Sequence, residues 1–194
     1  MSKSDPEALK KERSKTIRWV VTIFLVTIFV SGIISLTADE IMANSSIAIA
    51  FVILLAIVLI GIIFDIIGVA VTSADEKPFH SMAARKVPGS MEAIRLLRNA
   101  ERVSSICNDV VGDICGVISG SASATIAAQV LQNFTFSWPR LVTLLMSALV
   151  AGLTVGGKAV GKTFAINSCT KIVSVVGKLI YKLRHSLDFL KKEK

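Results

Sequence analysis

The sequence lacks the short motifs by which many enzymes are recognised. It contains neither H-E-x-x-H nor G-x-S-x-G, which mark zinc proteases and serine hydrolases. Its three cysteines do not follow a metal-binding spacing such as C-x-x-C, and its two histidines are isolated in the chain. We therefore expect no enzyme activity, no bound cofactor and no zinc site.

The sequence matches the residue spacing of one nucleotide-binding motif, the P-loop, but the segment around it is not of the kind in which a P-loop occurs. Residues 156–163 read G-G-K-A-V-G-K-T, which satisfies the P-loop pattern G-x-x-x-x-G-K-[ST]. A P-loop follows a buried β-strand in a soluble α/β domain, whereas this segment ends a long apolar stretch. This setting favours a membrane helix over a nucleotide-binding loop.

Long polar stretches are scarce as well. The chain is 53% hydrophobic by residue count and has a mean hydropathy of +0.67, which is high for a soluble domain. Two apolar runs, 16–36 and 47–71, each exceed the ~20 residues that a helix needs to cross a bilayer. Two further runs, 103–131 and 139–166, are long enough but are interrupted by charges and glycines. The sequence predicts an all-α integral membrane protein with four transmembrane helices.

Lysine and arginine are missing from two of the predicted loops. The segment TADEIMANSS between spans one and two has none, and neither does LQNFTFSW after span three. The other segments outside the spans are basic and account for the net charge of +8. The positive-inside rule then predicts that both termini are cytoplasmic, in a plasma or inner membrane. This topology, rather than binding to nucleic acid, explains the basic composition.

The charge and hydropathy patterns divide the chain into three parts. We predict a cytoplasmic N-terminal segment over 1–15, a transmembrane domain over 16–166, and a cytoplasmic amphipathic helix over 167–194. Residues 74–101 are expected to form short amphipathic helices along the inner membrane surface. Ser73, followed three residues later by Glu76, predicts a capping box at the start of the first of these.

Three of the predicted spans carry a small or polar stripe at helical spacing. With about 100° per residue, small and acidic residues share one face of span three, and spans two and four carry a stripe each. The candidate ion-binding or pore-lining residues are Asp65, Thr72, Ser105, Asn108, Asp109 and Asp113, with Lys158 and Lys162 as charge partners. The candidate helix-packing residues are Gly61, Gly68, Gly112, Gly116, Gly120, Gly157 and Gly161. Faces rich in small residues also favour a homodimer or contact with a partner membrane subunit.

Carboxylates inside a membrane are tolerated when they pair with cations, face other helices or line a wet cavity. Two functions are therefore open: a site for a transported cation or proton, and a non-transporting scaffold or accessory subunit. In the scaffold, the Asp and Lys side chains would hold helices together or bind a partner. Three carboxylates against two ammonium groups leave one negative charge, which suits a monovalent cation or a proton.

The order of segments over residues 47–180 resembles the transmembrane domain of the cyclin-M/CorC family of magnesium transporters. The resemblance is carried by FDIIGVAVTSA at 64–74, RNAERVSS at 98–105 and TVGGKAVGKTFA at 154–165. It implies that the chain moves magnesium, which prefers oxygen ligands. The residues that could supply such ligands are Asp65, Asp109 and Asp113, together with Asn108.

The chain also departs from the family's pattern. Asp65 and Gly68 lie where the family has a Ser-Gly-Ser-Glu-Thr motif, and Lys158 stands in place of an acidic residue. Gly161 stands in place of a proline, whereas Lys162 keeps the family's lysine. No segment of the sequence corresponds to the CBS domains that are usual in the family. Two lysines beside the carboxylates would oppose a divalent ion, so a monovalent cation or a proton is the alternative cargo.

The predicted topology can be tested by labelling single cysteines in a chain whose native cysteines are replaced. Cysteines at positions 39–44 should react with an impermeant thiol reagent in intact cells, because this loop is predicted to face outward. Cysteines at 76–100 should react only after the cells are permeabilised. The inverse labelling pattern would overturn the topology.

Overall fold

The computed structural model describes residues 6–135 and 137–192, with side chains described over 17–42, 44–135 and 137–186. Residues 1–5 of the predicted N-terminal segment and 193–194 of the predicted C-terminal helix lie outside the described residues. Within the described ranges the chain is helical and contains no strand. The prediction of an all-α chain is confirmed.

The helices follow one another with short connections. They are α1 (Pro6–Ala43), α2 (Ile47–Ser73), α3 (Lys77–Ala84), α4 (Ser90–Arg98), α5 (Ala100–Ser105), α6 (Asp113–Asn133), α7 (Pro139–Asn167) and α8 (Cys169–Lys192). A π-helical segment, Ile106–Gly112, joins α5 to α6, so that Ala100–Asn133 is one long helix. Four stretches are long and apolar enough to cross a membrane: Ile17–Met42, Ile47–Ser73, Ala100–Asn133 and Pro139–Asn167.

Two boundaries are fixed by the residues around them. Pro139 occupies the first turn of α7, where its missing N–H group leaves no hydrogen bond unmade. Gly89 precedes α4 with a φ of 85°, a left-handed conformation that glycine adopts at little cost.

α7 runs unbroken through Gly156 and Gly157. Residues 156–163 are therefore helical and do not form a phosphate-binding loop.

The predicted capping box at Ser73 is wrong. Ser73 is the last residue of α2, and α3 begins at Lys77, with Glu76 at its N-cap and no side-chain cap hydrogen bond. α2 continues through Ser73 because its apolar run extends almost to that residue. Proline is favoured in the first turn of a helix, and Pro78 lies in the first turn of α3. Glu76 instead lies 3.1 Å from the imidazole Nε2 of His80 and 3.7 Å from the guanidinium Nε of Arg98.

α2 is the central helix of the bundle. It packs against α6, α7 and the π segment, whereas α1 packs chiefly against α6. One apolar core fills the space between these helices and includes Leu54, Val58, Ile114, Ile118 and Ile126. This core holds the four long helices together.

A second core lies at the end of α2 that leads into α3. It joins the last turns of α2 and α7 to α3, α4 and α8 around fully buried side chains that include Phe79 and Val173. The short helices are therefore packed onto the bundle by their own apolar residues.

Glycines mark the places where α2 approaches its neighbours most closely. A side chain at Gly61 would collide with Cys115 of α6. Side chains at Gly157 and Gly161 would collide with Ile62 and Ile66 of α2. Small residues at such positions let helices pack closely without a hydrophobic drive between them, as association in lipid requires.

Neighbouring glycines of α7 provide a test of this packing. Leucine in place of Gly157 should collide with Ile62 and lower the unfolding free energy by about 1–3 kcal/mol. Gly156 faces open space, so Gly156→Leu is a matched control that should leave stability unchanged or slightly raised. Thermal unfolding in detergent measures both. Equal melting temperatures for the two variants would contradict the α2–α7 contact.

Candidate functional site

Three charged side chains lie close together where α2, α6 and α7 meet. The ammonium Nζ of Lys158, on α7, lies 3.9 Å from Oδ1 of Asp65 on α2 and 4.0 Å from Oδ1 of Asp113 at the start of α6. Both distances exceed hydrogen-bond reach, so electrostatic attraction holds the ammonium without a direct hydrogen bond to either carboxylate. We call these three side chains the charge cluster.

The members of the charge cluster differ in exposure. The side chains of Asp65 and Lys158 are 16% and 25% exposed, whereas that of Asp113 is 72% exposed. The Asp65–Lys158 attraction is therefore less screened than the Lys158–Asp113 attraction. With all three groups ionised, the charge cluster carries one net negative charge.

The π segment places Asn108 against Gly68 of α2, three residues along the helix from Asp65. Asn108 lies where a side chain on Gly68 would be, and its Nδ2 donates to Oγ of Ser104 at 3.2 Å. Its Oδ1 is buried and accepts no hydrogen bond from the described residues. π-helical turns occur frequently at functional sites. Sequence reasoning missed Ser104, although its spacing of four residues from Asn108 is a signal for such a pair.

The other predicted polar residues do not join the charge cluster. Asp109 is exposed and accepts a hydrogen bond of 2.7 Å from Ser105 on its own helix. Thr72 donates to backbone carbonyls of α2, at 3.3 Å to Gly68 and 3.0 Å to Val69. Lys162 is exposed and forms no ion pair with a described residue.

The prediction that Asp109 and Asp113 share a face rested on regular α-helical spacing. The π segment has wider turns, so that spacing does not hold across residues 106–112. No group of three His, Cys, Asp or Glu side chains that could hold a metal ion occurs within 6–135 and 137–192. Asp65, Asp109 and Asp113 therefore do not converge as a set of metal ligands.

An open groove of about 650 Å³ runs between α6 and α7 from the charge cluster. Its walls combine small and polar residues with three valines: Gly112, Asp113, Gly116, Val117, Ser119, Gly120, Ser123, Ser147, Val150, Ala151, Thr154, Val155 and Lys158. Gly116 and Gly120 face open space there, while Ile114 and Ile118 face the core. The small face of α6 thus borders a groove. The sequence had suggested that this face packs against another helix.

Comparison with known proteins gives no assignment. No protein-family model, curated protein or solved structure matches this chain. The resemblance to the cyclin-M/CorC magnesium transporters therefore stays a prediction from three short motifs.

The two lysines of α7 allow a matched test of the charge cluster. Lys158→Met should leave Asp65 without its counter-charge, which costs roughly 3–5 kcal/mol for a fully buried pair and about half of that at the observed exposure. Lys162→Met removes the same charge from an exposed position and should change stability by less than about 1 kcal/mol. Thermal unfolding of the purified protein compares them.

A double variant, Asp65→Asn with Lys158→Met, should recover most of the stability lost in Lys158→Met. The recovery is expected because neither partner is then left as an uncompensated charge. The interaction would be disproved if Lys158→Met and Lys162→Met melted at the same temperature.

Proposed function

We propose that this chain is an integral membrane protein that moves a cation or a proton through the charge cluster. Four helices are long and apolar enough to cross a bilayer, and their outward faces carry large exposed apolar side chains such as Phe29 and Leu149. An apolar surface of this extent is unfavourable in water and favourable in hydrocarbon. The distribution of lysine and arginine supports a plasma or inner membrane, with both termini, α3, α4 and α8 on the cytoplasmic side.

The observation that carries the proposal is the position of the Lys158 ammonium. It is a cation tethered between two carboxylates, in the place that a free cation would take. Its distances from both oxygens are longer than hydrogen bonds, so the contacts are weak enough to exchange. The lysine side chain is a flexible stem, and the groove beside it leaves room for the ammonium to swing away.

This arrangement supports a simple exchange. An incoming cation replaces the ammonium between Asp65 and Asp113, or a proton taken up by one carboxylate releases the ammonium. Either step keeps the total charge of the site nearly constant, which limits the cost of charge within the membrane. When the cation or proton leaves, the ammonium returns to its place between the carboxylates.

The charge cluster favours a transported ion that carries a single positive charge. The ammonium that leaves carries one positive charge, and one monovalent cation or one proton restores the same charge between the two carboxylates. Magnesium, which the sequence resemblance implies, would need several retained waters, because only two carboxylates lie beside Lys158. We therefore favour a monovalent cation or a proton, with hydrated magnesium as the alternative.

A second function is favoured by the same three side chains. Because they come from α2, α6 and α7, their attraction could serve only to hold these helices together in a non-transporting scaffold or accessory subunit. The groove between α6 and α7 would then receive a helix of a partner subunit or of a second copy. The two functions differ in whether the protein responds to a cation.

The test uses Asp65→Asn with Asp109→Asn as its control. In vesicles loaded for ion or proton flux, Asp65→Asn should abolish transport because it removes charge from the site while keeping the side chain's shape. Asp109→Asn removes a charge of the same kind one turn outside the charge cluster and should retain transport. Melting of the wild-type protein with magnesium, calcium, sodium or changing pH identifies the cargo, since a bound ligand raises stability.

The scaffold predicts a different set of results. The wild-type protein would show neither flux nor a cation- or proton-dependent melting shift. The absence of both responses would rule out the transport function. The stability of Asp65→Asn, and of its double variant with Lys158→Met, depends on the ion pair alone and does not separate the two functions.

A further inference from the structure

The C-terminal helix α8 carries more apolar surface than the protein covers. One face packs onto the second core through Val173, while Gly177 lies against Gly89 at the start of α4. A second apolar row remains uncovered: Val175, Leu179 and Leu183 are 65%, 58% and 57% exposed. These three residues are spaced by four, so they form one stripe along the helix.

A row of lysines runs beside this apolar row. Lys171, Lys178 and Lys182 are all exposed and fall within about 40° of one another around the helix. None of them forms an ion pair with a described residue. A helix with adjoining apolar and basic rows suits a surface on which negatively charged groups cover an apolar interior.

We propose that α8 binds the anionic phospholipids of the inner leaflet. In this arrangement, Val175, Leu179 and Leu183 enter the boundary between headgroups and acyl chains. Lys171 and Lys182, at the two ends of the row, contact the lipid phosphates, as does Lys178 between them. The inference rests on the proposed membrane insertion but not on transport through the charge cluster.

The position of α8 supports a lipid partner over a protein partner. α7 ends at Asn167 and α8 begins at Cys169, so α8 starts where a candidate membrane span ends. The second core attaches α8 to the ends of α2 and α7 and so keeps it beside the end of that candidate span. α3 and α4 lie at the same end and bury large apolar residues such as Phe79 and Ile94, although Met91 of α4 is exposed. Among the described residues of α3, α4 and α8, a basic row adjoins a long open apolar row on α8 alone.

The first experiment measures the depth of α8 in vesicles made of phosphatidylcholine and phosphatidylglycerol, about three to one. Single spin labels are placed at Leu179, His185 and Leu149 in the full chain with its native cysteines replaced by alanine. Leu179 should be reached by dissolved oxygen and shielded from a water-soluble nickel complex, whereas His185, on another side of α8, should be reached by nickel. Leu149, which is exposed on α7, reports whether the protein is inserted at all.

The depth results separate this inference from the proposed function. An aqueous Leu179 with an embedded Leu149 overturns the lipid contact of α8 and leaves membrane insertion intact. An aqueous Leu149 overturns the proposed insertion and, with it, this inference.

The second experiment tests the lysine row. Phosphatidylglycerol added to the protein in neutral detergent should raise its melting temperature, and phosphatidylcholine should do so less. Replacing Lys171, Lys178 and Lys182 together by glutamine should raise the half-maximal lipid concentration, by up to about fivefold for each lysine. The charge-matched control replaces Lys77, Arg85 and Lys86, exposed cations of the α3–α4 region, and should change that concentration little.

Three results would overturn the assignment. The first is an equal effect of the two triple variants, which would indicate a response to net charge alone. The second is an equal melting shift with inorganic phosphate, which would indicate a site for free anions. The third is an equal shift with phosphatidylcholine. If the α8 variant does not fold, the spin-label depths still decide the question, because they leave the lysine row intact.

Discussion

The close approach of α2 to both α6 and α7 is the contact on which the rest of the structure depends. In the proposed membrane setting, helices gain little from burying apolar surface against each other, so close packing of their backbones becomes important to their association. Gly61 provides that contact toward α6, and Gly157 and Gly161 provide it toward α7. Asp65 lies one turn from Gly61 on the same helix. The packing that joins the three helices therefore also brings the carboxylate of Asp65 to the ammonium of Lys158.

The π segment adjusts the long helix Ala100–Asn133 to this central contact. Its wider turns place Asn108 against Gly68, where a larger residue on α2 would leave no room. They also separate Asp109, which bonds to Ser105 at the surface, from Asp113, which faces Lys158. A regular α-helix would have kept the two carboxylates on one face. The π segment thus decides which of them belongs to the charge cluster.

The four long helices could be predicted from the sequence because length and hydropathy are local properties of each apolar run. Asp65, Asp113 and Lys158 could be singled out because charges are rare in such runs. The grouping of these residues could not be predicted in full, since regular periodicity fails across residues 106–112. Periodicity shows which residues share a face of a helix, but not which neighbour that face meets. For that reason Gly116 and Gly120 were expected in a helix contact and lie instead along a groove.

The geometry of the charge cluster bears on the choice between transporter and scaffold. An ion pair stabilises a buried interface only when short, well-directed hydrogen bonds offset the cost of removing both charges from water. Here the two separations are 3.9 and 4.0 Å, and the largely exposed Asp113 adds little to the attraction. Apolar side chains at these positions would join the helices at lower cost. Weak contacts beside an open groove are a poor means of holding helices together, and they therefore favour the proposed exchangeable cation site over a scaffold.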